Sequence, residues 1–206
     1  MNKKDAIMPV PSRGPADHAV REQIIAAAGE HFQHYGYAKT TVSDLAREIG
    51  FSKAYIYRFF ESKQAIGEAI CANRLDGLYS EVREAVDDGQ DATDKLRRFA
   101  KTVTAVGAEL FFKDRKIHDI AAHASTERWP STIAYYARLR SLIEDIVREG
   151  RVSGEFEKKT PLDETCRSIS YALMPFTDPV ILERSLDLLP DAQVEVTSLV
   201  LRSLAP

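Results

Sequence analysis

The sequence predicts an all-α fold. Apolar residues recur at helical spacing in nearly every periodic stretch, and strand-like alternation is absent. Between those stretches stand Ser, Thr, Gly and Pro, the residues that cap or break helices. The chain has 206 residues, 44% hydrophobic and 29% charged. That length allows one or two domains with a real core, without help from metals or disulfides.

Residues 1–15, MNKKDAIMPVPSRGP, carry three prolines and a glycine and read as a flexible arm. They hold basic residues but no continuous apolar run, so no secretory signal is expected. Val20, Ile24, Ala28, Phe32 and Tyr35 then share one helical face, and Gly36 ends that helix. Thr41 caps a short helix over 42–49, with Asp44 in a capping-box-like position, and Gly50 stops it. Ser52 opens the next helix, which runs through Phe60. Ser62 opens a long one, striped by Ile66, Ile70, Leu75, Leu78, Val82 and Val86 and broken by DDGQD at 87–91. Further helices are predicted over 92–113, 115–125, 130–149, 161–174, 179–189 and 191–204, punctuated by Pro130, Pro161, Pro175, Pro179 and Pro190. The expected division is the arm at 1–15, a three-helix unit at 16–62 and a larger helical unit at 63–206.

No run of 18 or more apolar residues occurs, so no membrane span is expected. Cys71 and Cys166 lack metal-ligand spacing, and a reducing cytoplasm is the simplest setting for them. The net charge is −3, which alone argues against a nucleic-acid partner, but residues 1–65 carry +2 and the remainder −5. Such asymmetry points to separate tasks for the two parts.

Residues 41–60 follow a specific plan: a capped short helix, a turn at Gly50–Phe51 and a second capped short helix. That is the helix-turn-helix, whose second helix enters the DNA major groove. At 100° per residue, Ile56, Phe59 and Phe60 fall on one side of the second helix and anchor it. Lys53, Ala54, Tyr55, Tyr57 and Arg58 form the face offered outward. Lys53 and Arg58 suit phosphates or guanine edges, and Tyr hydroxyls suit phosphates. Ala54 lets the backbone sit deep and meets a thymine methyl. The helix starts at Thr41, Ser52 and Ser62 favour anions, and Lys63 adds charge beside the last. The plainer alternative is an amphipathic helix pair in a bundle with solvated charges.

TTVSDLAREIGFSKAYIYRFFESKQAI, residues 40–66, resembles the N-terminal domain of the TetR family of bacterial transcriptional repressors. That family's pattern is roughly T-x-x-x-I/L-A-x-x-A/L-G-V-S-x-G-x-L-Y-x-H-F-x-S-K-E. The likeness extends back over IIAAAGEHFQHYGYAKTT, residues 24–41. The resemblance implies that Thr41, Tyr57 and Lys63 contact phosphates, and that Ser52, Lys53, Ala54 and Tyr55 lie at the groove-reading end. Two positions depart from the pattern. Ala54 replaces the common Gly, and Phe59 replaces the common His, which removes a polar phosphate contact.

The resemblance also implies that the remaining helices enclose an inducer pocket and pair two copies of the chain. The candidate pocket residues are Phe111, His118, His123, Trp129, Tyr136, Tyr171 and Phe176, with ordinary core packing the alternative for any one ring. LDETCRSISYALM (162–174) and QVEVTSLVLRSL (193–204) carry apolar stripes suited to a four-helix dimer interface. The expected function is a ligand-responsive repressor that binds a palindromic operator as a homodimer. A small, largely apolar or aromatic inducer releases it. The rival is a metal-responsive sensor or all-α enzyme using His118, Asp119 and His123; a protein-binding helical adaptor is the third reading. No G-x-S-x-G, P-loop or H-E-x-x-H occurs, so no catalytic residue, metal site or cofactor is assigned.

Overall fold

A computed structural model describes residues 15–206, and no strand occurs among the described residues. The helices are α1 (Pro15–Tyr35), α2 (Val42–Ile49), α3 (Lys53–Tyr57), α4 (Lys63–Asp87), α5 (Ala92–Lys113) and α6 (Arg115–Thr126). Then come α7 (Pro130–Ser153), α8 (Leu162–Ala172), α9 (Met174–Thr177), α10 (Pro179–Glu183) and α11 (Asp191–Ser203). The flexible arm expected over 1–15 lies outside the described residues, except for Pro15 at the start of α1.

The expected helices are present, with two divisions that periodicity did not show. The segment 161–174 ends as α8, and α9 starts at Met174. Pro175 has no N–H for the carbonyl of Tyr171, and its ring crowds that carbonyl, so one continuous helix cannot pass. The segment 179–189 is α10 followed by a 3-10 turn at Leu186–Leu188. Pro190 holds Leu189 in extended backbone and closes that turn. On α1, Ile24, Ala28 and Phe32 are buried as expected, but Tyr35 is exposed and packs on His31 and His34 at the helix end.

Two apolar cores result. The first joins α1, α2 and α3 through Ile24, Phe32, Leu45, Ile56 and Phe60. It continues across residue 62 into Ile66 and Ile70 of α4, then into Ile117, Ile120 and Ala124 of α6 and Trp129. The second joins the far half of α4 to α5, α7, α8 and α11 through Val82, Val86, Leu96, Phe99, Leu142, Ile146 and Leu173. Leu75 packs against both, so α4 is the beam that the cores share.

Candidate DNA-binding face and ligand cavities

The α2–turn–α3 unit is held by local hydrogen bonds that its residue types dictate. Thr41 is the N-cap of α2: its hydroxyl accepts from the Asp44 N–H at 3.2 Å and donates to the Asp44 carboxylate at 2.7 Å. The Asp44 carboxylate also accepts from the Thr41 N–H at 3.0 Å, completing the capping box. The Thr41 hydroxyl and N–H lower the Asp44 pKa below the usual carboxylate value. Gly50 closes α2 with φ 76°, a left-handed conformation that costs any residue with a Cβ. Ser52 then accepts from the Tyr55 N–H at 3.1 Å and starts α3.

On α3, Ile56 is buried, as are Phe59 and Phe60 in the turn that follows it. Ser52, Lys53, Ala54, Tyr57 and Arg58 are exposed together. Lys53 lies 5.8 Å from the Tyr57 ring centroid, and Arg58 lies 5.4 Å from that of Tyr55. Tyr55 departs from the expected outward set. It is half-buried, its ring edge-on to Phe51 at 5.0 Å and to Phe59 at 5.4 Å. With Phe at 59, that position offers an apolar surface, and the Tyr55 ring covers it.

Lys63 is also turned inward. Its ammonium donates to the Tyr37 carbonyl at 3.0 Å and sits 4.3 Å from the Tyr37 ring centroid. Burial lowers its pKa from the ordinary lysine value. Burial likewise raises the pKa of Tyr37. Tyr37 belongs to a joint between α1–α3 and the rest of the molecule. Its ring meets His123 at 5.4 Å and Trp129 at 5.6 Å. Gly67 of α4 lets this joint close: a Cβ there would stand 2.9 Å from the Trp129 ring and 3.0 Å from that of Tyr37.

Two neighbouring cavities share walls among α4–α10. The smaller, about 60 Å³, is enclosed by α4, α5, α6, α7 and α10; Ile70, Leu78, Val106, Ile120, Tyr135 and Leu182 form much of its wall. The larger, about 290 Å³, opens between α7 and α8 and is lined by Leu139, Arg140, Ile143, Tyr171, Leu173, Met174 and Asp178. Tyr136 and Thr177 line both. Asp178 organises this junction. One carboxylate oxygen caps α10 by accepting from the Val180 and Ile181 N–H groups. The other accepts from the Ser125 hydroxyl at 2.6 Å and the Tyr136 hydroxyl at 3.1 Å. Burial foremost raises the pKa of Tyr136.

Of the seven candidate pocket residues, His118, Tyr136 and Tyr171 line these cavities. The other four do not. Trp129 is 2% exposed, but it fills the first core at the Gly67 joint. His123 is exposed and stacks on the same joint. Phe176 is packed in the second core. Phe111 lies edge-on to the His118 ring at 4.9 Å and carries the Arg115 guanidinium 4.2 Å from its centroid. Asp178, Arg140 and Cys71 line the cavities without having been read as pocket residues. The Asn/Asp-Pro turn signal at Asp178–Pro179 marks the cap, but its partners Ser125 and Tyr136 are remote in sequence.

His118, Asp119 and His123 are not brought together. His118 is buried against the Pro179 carbonyl, Asp119 is exposed and paired with Arg115 at 3.3 Å, and His123 faces Tyr37. Among the described residues no group of three or more His, Cys, Asp or Glu side chains has metal-binding geometry. Both cysteines are free and buried, and burial raises Cys71 to about 12.

At the far end, α8 and α11 bury Cys166, Ile169, Leu173, Val200 and Leu204 against their own chain. They leave Tyr171, Val194 and Leu199 outward, at 64%, 54% and 60% exposure. No described helix is long and apolar enough to cross a membrane.

Comparison with known proteins agrees with this architecture. The chain is 26% identical over 147 residues to the nucleoid occlusion factor SlmA of Aliivibrio fischeri, covering 70% of this chain and 74% of that protein. It is 26% identical over 192 residues to the transcriptional regulator TtgR of Pseudomonas putida, covering 84% and 86%. The structure of FadR from Bacillus subtilis in complex with stearoyl-CoA superposes with a TM-score of 0.62 at 20% identity, covering 89% of this chain and 98% of that one. Residues 24–70 match the bacterial regulatory proteins of the tetR family, and residues 92–196 match the tetracyclin repressor-like C-terminal domain. With both units matched in order along one chain, this protein belongs to the TetR family of DNA-binding regulators.

Proposed function

We propose that the chain is a cytoplasmic repressor that binds a palindromic operator as a homodimer and is released by a small, largely apolar inducer. The observation that carries this reading is the exposed set Ser52, Lys53, Ala54, Tyr57 and Arg58 on α3, mounted by Ile56, Phe59 and Phe60 on a core that α4 shares with the cavity-bearing helices. Lys53 and Arg58 meet phosphates or guanine edges, the Tyr57 hydroxyl meets a phosphate, and Ala54 permits close approach to the groove floor. Thr41 and Lys63 approach the backbone at the rims. The Thr41 hydroxyl hydrogen is given to Asp44, so phosphate contact there requires an exchange of partners, whereas Lys63 gives one of its three ammonium hydrogens to the Tyr37 carbonyl.

One short helix makes few contacts, whereas two copies one helical turn apart, ~34–36 Å, read a palindrome. The outward Tyr171, Val194 and Leu199 of α8 and α11 supply the face for that pairing. Inducer entering among α4–α10 favours a position of α4 that takes the two recognition helices out of groove register. Linkage makes the effect reciprocal: operator weakens inducer binding by the factor that inducer weakens operator binding. A gel shift against a palindromic fragment from upstream of the gene tests the DNA reading, and titration calorimetry with and without that fragment tests the coupling. A shifted band and unequal inducer affinities are expected. No shift refutes DNA binding, and equal affinities refute release by linkage.

A further inference from the structure

His118 is 1% exposed and stands on the wall of the smaller cavity. Its Nε2 lies 3.2 Å from the Pro179 carbonyl oxygen. A carbonyl oxygen only accepts, so Nε2 carries the hydrogen. In the neutral ring of that tautomer, Nδ1 presents a lone pair, and Nδ1 is buried with no hydrogen-bond partner. Buried polar atoms are seldom left unpaired, and this one belongs to a residue of a wall that is otherwise mostly aliphatic. The hydroxyls of Ser125 and Tyr136 are already committed: both donate to Asp178.

The charges around the cavities come in opposed pairs, Arg74 with Asp114 at the smaller and Arg140 with Asp178 at the larger. Arg74, on the wall of the smaller cavity, has the Asp114 carboxylate 3.9 Å away. The Asp178 carboxylate stands at the junction with the larger cavity, whose lining also carries the Arg140 guanidinium. The shape favours a thin visitor. The space beside His118 is only about 60 Å³, and a second space of about 290 Å³, lined by Leu139, Ile143 and Met174, shares the Tyr136 and Thr177 walls with it.

We infer that His118 Nδ1 accepts a hydrogen bond from a hydroxyl of the inducer, and that the inducer is a neutral aliphatic alcohol running from His118 past Tyr136 into the larger cavity. This rests on the reading that the C-terminal domain holds the inducer, and it specifies the ligand's chemistry. The hydroxyl hydrogen is what the site reads: neither an ether nor an ionised carboxylate places a donor at Nδ1.

The test is calorimetric binding of 1-decanol, decyl methyl ether and decanoate to the full chain and to His118→Phe and His118→Gln. The wild type is expected to bind the alcohol about tenfold more tightly than the ether, the worth of one hydrogen bond to a buried acceptor, and more tightly than decanoate. In His118→Phe the alcohol and ether should bind alike, while His118→Gln, which keeps an acceptor oxygen, should retain part of the preference. Equal binding of alcohol and ether by the wild type, a preference that survives His118→Phe, tightest binding of decanoate, or no binding of any of the three would overturn the assignment. If the Phe variant does not fold, the wild-type comparison of alcohol with ether decides alone. A gel shift with the palindromic upstream fragment, run on the same samples, separates the two readings. Equal alcohol and ether binding with operator still released sinks only the hydroxyl site. A His118-dependent alcohol preference with operator binding unmoved sinks only the release mechanism.

Discussion

Tyr55 and Tyr57 are two positions apart on α3, yet Tyr55 is half-buried between Phe51 and Phe59 while Tyr57 is 44% exposed. The helical angle between them turns one ring to the domain and the other to solvent. Periodicity placed Ile56, Phe59 and Phe60 inward because these are the strongly apolar choices. It did not place Tyr55, whose amphipathic ring suits either side and whose position depends on what Phe59 offers it. Lys63 is a similar case: its sequence position at the start of α4 suggests an anion contact, but the Tyr37 carbonyl and ring take its ammonium. The outward set therefore rests on Lys53, Tyr57 and Arg58. Lys53→Ala and Tyr57→Phe should each weaken operator binding while leaving the melting temperature nearly unchanged, since neither residue belongs to a core. If Lys53 engages a phosphate, its loss should also reduce the slope of log affinity against log salt by about one per protomer. Salt-dependent fluorescence anisotropy reads both effects, and unchanged affinity in both variants would refute the assigned face.

Short-range signals explain why the helices were legible. A cap needs only a Ser, Thr or Asp at the right offset, and Thr41, Ser52 and Ser62 each perform the cap their spacing indicates. The cavity was less legible because its walls are contributed by helices far apart in sequence. Rings alone did not reveal which of them face a void: Trp129 and Phe176 fill cores, while Asp178, a polar residue, organises the junction between cavities. The placement of Trp129 has a consequence at the level of elements. It ends the α6 segment against α4, and it fits only because position 67 lacks a Cβ. Gly67→Ala gains helix propensity of about 1 kcal/mol. It also drives a Cβ to 2.9 Å from the Trp129 ring and 3.0 Å from the Tyr37 ring, both held by their neighbours. Overpacking of this kind costs about 1–3 kcal/mol, so a net loss of roughly 1 kcal/mol is expected. Chemical denaturation measures it; a variant more stable than wild type would show that the joint yields.

At the scale of the whole molecule, the proposed homodimer needs a pairing face. Each chain buries the inner faces of α8 and α11 in its own core, yet leaves Leu199 60% exposed beside an opening of about 400 Å³ lined by Ile169, Ala172, Val200 and Leu204. An apolar side chain beside a recess whose wall mixes these apolar residues with Glu157, Thr160, Thr165, Ser168 and Ser203 can meet its own copy under a two-fold axis, as an isologous dimer requires. Leu199→Asp places a charge on that face without disturbing an internal contact of comparable burial. The variant should elute as a monomer in light-scattering chromatography, and the wild type is expected to elute as a dimer. Its operator affinity should fall by more than that of Lys53→Ala, because a lone α3 loses the second half-site as well as its effective concentration. Its helical content by circular dichroism should remain that of the wild type. A dimeric Leu199→Asp protein would move the pairing face away from α8 and α11. A monomer that still binds the palindrome at full affinity would remove the need for a dimer altogether.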